Sequence, residues 1–219
     1  MFVEIEPSFL RSIATDSDRI PTLYYSNYLL VRQFFWMRLK LIYFHLQRLP
    51  INREVCLDFG GGGGVFLPTL SQLFKTVFFL DLEDAEARQV VEKHLLKNVK
   101  LVKQDIATVG FTKSSFDVII AADVLEHFQD LSVPVTQIRN WLKQDGVLIT
   151  SLPTENYLYV LLRQVFGVAK PADHYHTGYE VEAYLKARGF KQIRRTFVPL
   201  FGNILPLFLI SVWRDETAK

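Results

Sequence analysis

The stretch from Val55 to Leu70, VCLDFGGGGGVFLPTL, sets five consecutive glycines between two apolar segments. Fixing a glycine in one conformation costs roughly 0.5–1 kcal/mol relative to alanine, so ordering the whole run gives up about 3–5 kcal/mol. A fold that accepts this needs bare backbone there. A flexible linker would have polar flanks and would join domains, whereas these glycines interrupt a core strand and a core helix. A strand ending in Asp58 and Phe59, a glycine loop and a helix starting at Val65 make a place where a ligand's negative group can approach N–H groups at a helix N-terminus.

The surrounding sequence supplies a matching scaffold. From Glu54 to Trp213, short β-branched or aromatic runs alternate with longer segments of helical period, the pattern of a mostly parallel sheet covered by helices. EVCLDF, VFFLDL, VKLVKQD, FDVIIAAD and GVLITSL are predicted as strands one to five. LEDAEARQVVEKHLLKN reads as a helix with acids in its first turn, and DLSVPVTQIRNWLKQDG as a helix closed by Gly146. An insertion, PTENYLYVLLRQVFGVAKPADHYHTG, precedes the short helix GYEVEAYLKARG, which ends at Gly189. FKQIRRTFVP and PLFLISVWR read as strands with no helix between them, so they are expected to pair antiparallel. The uncharged stretch Thr196 to Trp213 approaches the length of a membrane span, but Pro199, Gly202, Asn203 and Pro206 in its middle favour two strands and a turn.

Bulk properties narrow the function classes. With 219 residues, 49% of them hydrophobic, the chain can bury a substantial core. Its 25 basic and 23 acidic residues leave a net charge of +2, so no global field points to nucleic acid. The single cysteine, Cys56, lies in an apolar run and can close no intramolecular disulfide, which suits a reducing, cytoplasmic compartment. Acids in the N-terminal MFVEIEPSFLRS, and the lack of a long apolar core there, argue against a leader peptide.

The ligand is narrowed by register. A dinucleotide fingerprint needs G-x-G-x-x-G/A, and its last position falls on Val65, Phe66 or Leu67 in the three available registers. G-x-G-x-G at Gly60, Gly62 and Gly64 describes the loop better. With its flanks, VCLDFGGGGG resembles the (V/I)LDxGxGxG motif of the class I S-adenosylmethionine (SAM) methyltransferases. The resemblance extends in order through Asp81 in VFFLDL, QDI at Gln104 to Ile106, FDVIIAADVLEHFQD with its VLEH at Val124 to His127, and WLKQDGVLITSLP. It covers about Ile51 to Arg214, and the chain is similar to the small-molecule methyltransferases of the ubiquinone and menaquinone type. Gly61 stands where cysteine is common in that family, and Asp145 where glycine is usual.

This resemblance implies a Rossmann-like, doubly wound α/β fold. Its seven-stranded, mostly parallel sheet has an antiparallel last strand and helices on both faces. Residues 1–50 form an N-terminal helical extension or lid, residues 51–219 the SAM-binding domain, and the insertion 152–178 an acceptor-side lid. Asp81, at a strand's C-terminal edge, can accept two hydrogen bonds from a ribose diol. Asp105 can accept from the adenine amino group, with Leu82 and Ile106 as apolar walls, and Asp58 can hold the ligand's ammonium or orient the loop. Ala122 and Tyr25 complete the expected cofactor-binding set, Tyr24 or Tyr25 reaching the methionine end. Each acid has a plainer reading, because aspartate also favours caps and turns.

Methyl transfer from a sulfonium is an in-line displacement in which positioning supplies most of the effect. A general base helps when the acceptor is a hydroxyl or an acidic carbon, and His127, His174 and His176 are the catalytic candidates. His127 follows the fourth strand; His174 and His176 lie in DHYHTGYE, which resembles the segment before the family's last helix, a region that commonly faces the acceptor. Asp173, His174 and His176 have spacing suggestive of a metal, but no further histidine or cysteine is near in sequence, and no metal site is expected. The aromatic N-terminal segment, with Tyr24, Tyr28, Phe34, Phe35, Trp36 and Phe44 among Arg32, Arg38, Lys40 and Arg48, has the look of a membrane-surface element, or else roofs the cofactor. Together with the aromatic insertion Tyr157 to Phe166 and the PLFGNILPLFL hairpin, it points to a small lipophilic acceptor, O- or C-methylated. The alternatives are an NAD(P)-binding oxidoreductase and a non-catalytic SAM-binding protein.

Overall fold

The computed structural model describes residues 1–15, 19–157, 159–160, 174–199 and 206–217. Seven strands form one sheet: β1 (Val55–Phe59), β2 (Thr76–Asp81), β3 (Val99–Lys103), β4 (Phe116–Ala122), β5 (Leu142–Pro153), β6 (Phe190–Val198) and β7 (Phe208–Asp215). Their order is β3-β2-β1-β4-β5-β7-β6. The first five pair parallel, and β7 runs antiparallel to both β5 and β6. The expected sheet class and the antiparallel closing pair are thus borne out. No helix links β6 to β7 among the described residues, and antiparallel neighbours need none.

Alternation along the central strands divides the interior in two. Val118 and Ile120 of β4 enter one core while Ile119 and Ala121 enter the other, as the two-residue period of a strand requires. The first core takes the apolar faces of α1 (Pro7–Ile13), α2 (Leu29–Arg48), α3 (Leu67–Leu73) and α4 (Ala85–Lys93), with Leu10, Trp36, Ile42, Leu70 and Val90 fully buried. The second takes α5 (Ser132–Trp141) and α6 (Gly178–Ala187) through Ile138, Trp141, Val181 and Leu185. Helices therefore cover both faces, and the first fifty residues share one core with the sheet.

Two expectations need correction. The helix after the glycines begins at Leu67, two residues beyond Val65, because turns occupy the intervening positions. The fifth helix ends at Trp141 and passes directly into β5, so Gly146 closes nothing. Opposite β4 the pairing jumps from Phe116↔Leu142 to Val118↔Val147, a bulge that absorbs residues 143–146. A Cβ on Gly146 would lie 2.9 Å from the Lys143 carbonyl and 3.0 Å from that of Phe116, so this glycine serves the bulge. The two strands expected from the stretch Thr196 to Trp213 are present, as the end of β6 and most of β7, and no helix among the described residues is long and apolar enough to cross a membrane. Most of the aromatic insertion (161–166) and the tip of the final hairpin (200–205) lie outside the described residues.

Candidate active site

The strand order reverses at β1, whose neighbours β2 and β4 leave it in opposite directions, and ligands of open α/β sheets bind beyond the carboxyl ends of strands at such a point. A crevice of about 490 Å3 opens there. Its floor is Phe59, Gly60 and Gly62 after β1; one wall is Leu80, Asp81 and Leu82 after β2 with Gln104, Asp105 and Ile106 after β3; the other is Asp123, Val124, His127 and Phe128 after β4.

The glycines earn their places by close approach. Gly60, Gly62 and Gly64 have φ of +64°, +55° and +71°, where other residues are strained. A Cβ on Gly63 would overlap Ile20, and one on Gly61 would come within 2.7 Å of the Phe79 ring and 2.8 Å of Asp58 Oδ2. Four of the five glycine N–H groups are already engaged within the protein. Gly60 N donates to Leu80 O (2.8 Å), Gly62 N to Asp81 Oδ2 (2.8 Å), Gly63 N to Arg19 O (2.9 Å) and Gly64 N to Gly61 O (2.9 Å). The loop is a thin floor tied to its surroundings.

Asp81 stands at the end of β2 and faces the crevice. One oxygen accepts from Gly62 N; the other is 2.5 Å from Arg19 Nη1 and accepts at 3.4 Å from Glu83 N. Leu82, 59% exposed, and buried Ile106 flank it as apolar surfaces. Asp105 also lines the crevice, and its Oδ1 accepts from Ala107 N at 2.7 Å, so the turn role read in the sequence is present too. Asp58 lies buried beneath the loop. Burial, and next the negative charge of Asp81, push its pKa up to about 7, and its Oδ2 has no hydrogen-bond partner among the described residues.

Other expected residues sit elsewhere. Gly64 abuts Ala87 of α4, and Ala122 ends β4 opposite Ser151. Tyr25 is turned away from the crevice, lining a separate surface hollow with Arg11, whose guanidinium lies 5.9 Å from its ring. Tyr24 is the tyrosine directed inward: it is buried, its hydroxyl accepts from Arg38 Nη2 at 2.9 Å, and burial raises its pKa. His127 lines the crevice, with the ring of His174 4.6 Å away, edge to face. His176 is separate, its Nε2 lying 3.4 Å from the Gln129 carbonyl.

Sequence reasoning missed a buried ion pair at this site. Arg38 of α2 is 2% exposed, packs 3.7 Å from the centre of the Phe35 ring and 4.8 Å from that of Phe208, and pairs with Asp123. Asp123, just past β4, adopts φ +54° and accepts from Ser151 Oγ at 2.9 Å. The signal available was a guanidinium on an otherwise aromatic helix, which needs a partner when buried. Nothing in the sequence marked Arg19.

A sequence model of the family described as "Methyltransferase domain" matches residues 57–150, which span β1 through most of β5. Over this stretch the chain is similar to methyltransferase domains. The resemblance to the class I SAM methyltransferases is thereby supported where its motifs lie. Among curated proteins, the chain is 36% identical over 109 residues to a polyketide synthase-nonribosomal peptide synthetase of Aspergillus clavatus, an alignment covering 47% of this chain and 3% of that protein. It is 29% identical over 121 residues to the ubiquinone biosynthesis O-methyltransferase of Glaesserella parasuis, covering 52% of this chain and 51% of the relative. The chain thus spans about half of the second relative and a small part of the first. The magnesium protoporphyrin IX methyltransferase of Synechocystis PCC 6803, solved with bound SAH, superposes with a TM-score of 0.68 over 96% of this chain and 100% of that one, at 20% identity. At that identity the likeness speaks for the fold.

Proposed function

We propose that this chain binds SAM in the β1–β4 crevice and transfers its methyl group to a small acceptor. The observation that carries the reading is the carboxylate of Asp81 at the tip of β2, facing the glycine floor between Leu82 and Ile106. A vicinal diol needs a short, rigid double acceptor, and an adenine ring needs apolar walls beside it. Asp58, beneath the loop, is the carboxyl for the ligand's ammonium, and Asp105 supports the adenine edge. SAM brings a sulfonium methyl that is activated without protein help. The chain's part is to align an acceptor on the far side of that methyl, at the wall of Asp123 and His127.

The finer reading is a lipophilic acceptor, O- or C-methylated. Its support is the aromatic character of the segments that pack together at α2 and β7, where Phe35 and Tyr159 meet Phe208 edge to face at 6.3 and 5.5 Å. Tyr28, Leu29 and Leu30, exposed at the start of α2, support a peripheral membrane contact, and unpaired Cys56 supports a reducing, cytoplasmic setting.

Isothermal titration with SAM, its demethylated product and NADH tests the core of this reading. SAM and its product are expected to bind and NADH to fail, and Asp81→Ala should weaken SAM roughly tenfold or more, the loss of charge-assisted hydrogen bonds. Binding of NADH in preference to SAM would overturn the assignment.

A further inference from the structure

We propose that Glu126, His127 and His174 form a site for one divalent first-row transition-metal cation at the acceptor end of the crevice. Glu126 and His127 belong to the short helical turn Leu125–His127 that follows β4. His174 arrives from the loop before α6, and that loop is fastened to the same turn by Tyr175 N and His176 N, which donate to the Glu126 carbonyl at 2.9 and 3.4 Å. One ligand atom from each of the three side chains lies within 4.8 Å of the other two. A cation bound at about 2.0–2.2 Å would hold such atoms roughly 3–3.5 Å apart.

The surroundings orient these ligands. His174 Nδ1 lies 3.0 Å from Glu155 Oε1, both side chains being 7% exposed. That contact makes Nδ1 the protonated nitrogen and leaves the Nε2 lone pair to the cluster, the arrangement in which a carboxylate fixes a metal-binding imidazole. Glu126 is fully buried, so a divalent cation beside its carboxyl group would sit in a space of low dielectric, where opposite charges attract strongly. Two imidazoles and one carboxylate favour Zn2+, Co2+, Fe2+ or Mn2+ over Mg2+ or Ca2+, which prefer all-oxygen shells. Of the set whose spacing suggested a metal in the sequence, where none was expected, only His174 is in this cluster; Asp173 is outside the described residues, and His176 turns toward the Gln129 carbonyl.

His127 also lines the crevice, so coordination positions not filled by protein are reachable from it. There the cation would take an acceptor oxygen as a further ligand and favour its deprotonated form, the proton passing to solvent before the methyl moves from sulfur to oxygen. That role rests on the methyltransferase reading; metal binding does not.

The test is titration of chelator-treated, full-length protein with CoCl2, followed by visible absorption, with SAM calorimetry on the same samples in EDTA. One saturable equivalent with a ligand-field band is expected. His174→Gln and Glu126→Gln should each weaken it tenfold or more, and Glu155→Gln, which leaves all three ligands in place, should weaken it by about tenfold. His176→Gln should leave it unchanged. Absence of a saturable site in the parent protein, or the same affinity in every variant, overturns the proposal; if a ligand variant fails to fold, Glu155→Gln and the parent titration still decide it. SAM binding in EDTA without a Co2+ site would sink the metal alone. A Co2+ site without SAM binding would leave the metal standing and remove the methyltransferase reading.

Discussion

A carboxyl group titrating at about 7 inside a protein core, as Asp58 does, makes its protonation part of whatever happens above it. Its folded pKa lies above the ordinary value near 4, so the folded chain holds the proton more tightly than the unfolded one. The stabilisation this gives is complete below the ordinary value and is lost as pH rises through about 7. Asp58→Asn keeps the shape and cannot ionise. Its unfolding free energy minus that of the parent should therefore climb between pH 4 and 8 and then level off, as denaturant titrations at several pH values would show; a flat difference would contradict the burial argument. A bound ammonium favours the carboxylate, so SAM binding near pH 7 should release protons, read by calorimetry in buffers of different ionisation enthalpy. Several site residues were legible because they follow strands: Asp81, Leu82, Asp105 and Ile106 all occupy the crevice walls as expected. Glu126 was not, since nothing in VLEH tells which of its side chains turns inward until a loop 47 residues away from His127 supplies His174.

At the scale of elements, the strands were the readable part, and the joins between elements were not. The apolar runs of β1, β2 and β4 identify themselves because both of their faces are buried. The passage from α5 to β5 hid behind Gly146, which resembles a helix stop and instead stands at a bulge where the Phe116 and Lys143 carbonyls leave no room for a Cβ. Likewise α2 has the composition of a membrane-surface helix, but its inner face, with Trp36, Leu39, Ile42 and Leu46, is core. Arg38 joins that helix to β4 through Asp123, whose side chain is 25% exposed, so solvent screens part of the pair. Arg38→Ala should cost about 2–4 kcal/mol, somewhat less than the loss of one partner from a fully buried pair. Pairing it with Asp123→Asn in a double-mutant cycle should recover part of that loss, because the carboxylate no longer lacks a partner. Strict additivity in chemical denaturation would mean that the two groups do not interact.

For the whole molecule, the β1–β4 crevice brings together segments from both halves of the chain, so a ligand there stabilises the native state by mass action. At a free concentration one hundred times its dissociation constant, SAM should add about 2.7 kcal/mol. For a protein of this length that corresponds to a rise in Tm of roughly 5–10 °C. NADH at the same concentration should give none, and differential scanning fluorimetry distinguishes the two outcomes. The fold was legible at this scale because seven strands in a known rhythm leave few topologies that keep crossovers right-handed. What periodicity could not reveal was the packing of the N-terminal segment against the glycine loop through Ile20 and Arg19.

That packing sets a condition on anything that enters. The guanidinium of Arg19 already holds the acid at the tip of β2, so an incoming diol must share that acid or evict its present companion. Arg19 is also fastened by its own carbonyl to Gly63, which means the tether persists while the side chain swings. Filling the cleft and displacing one guanidinium are therefore coupled, while the backbone beside it stays moored to the glycine loop.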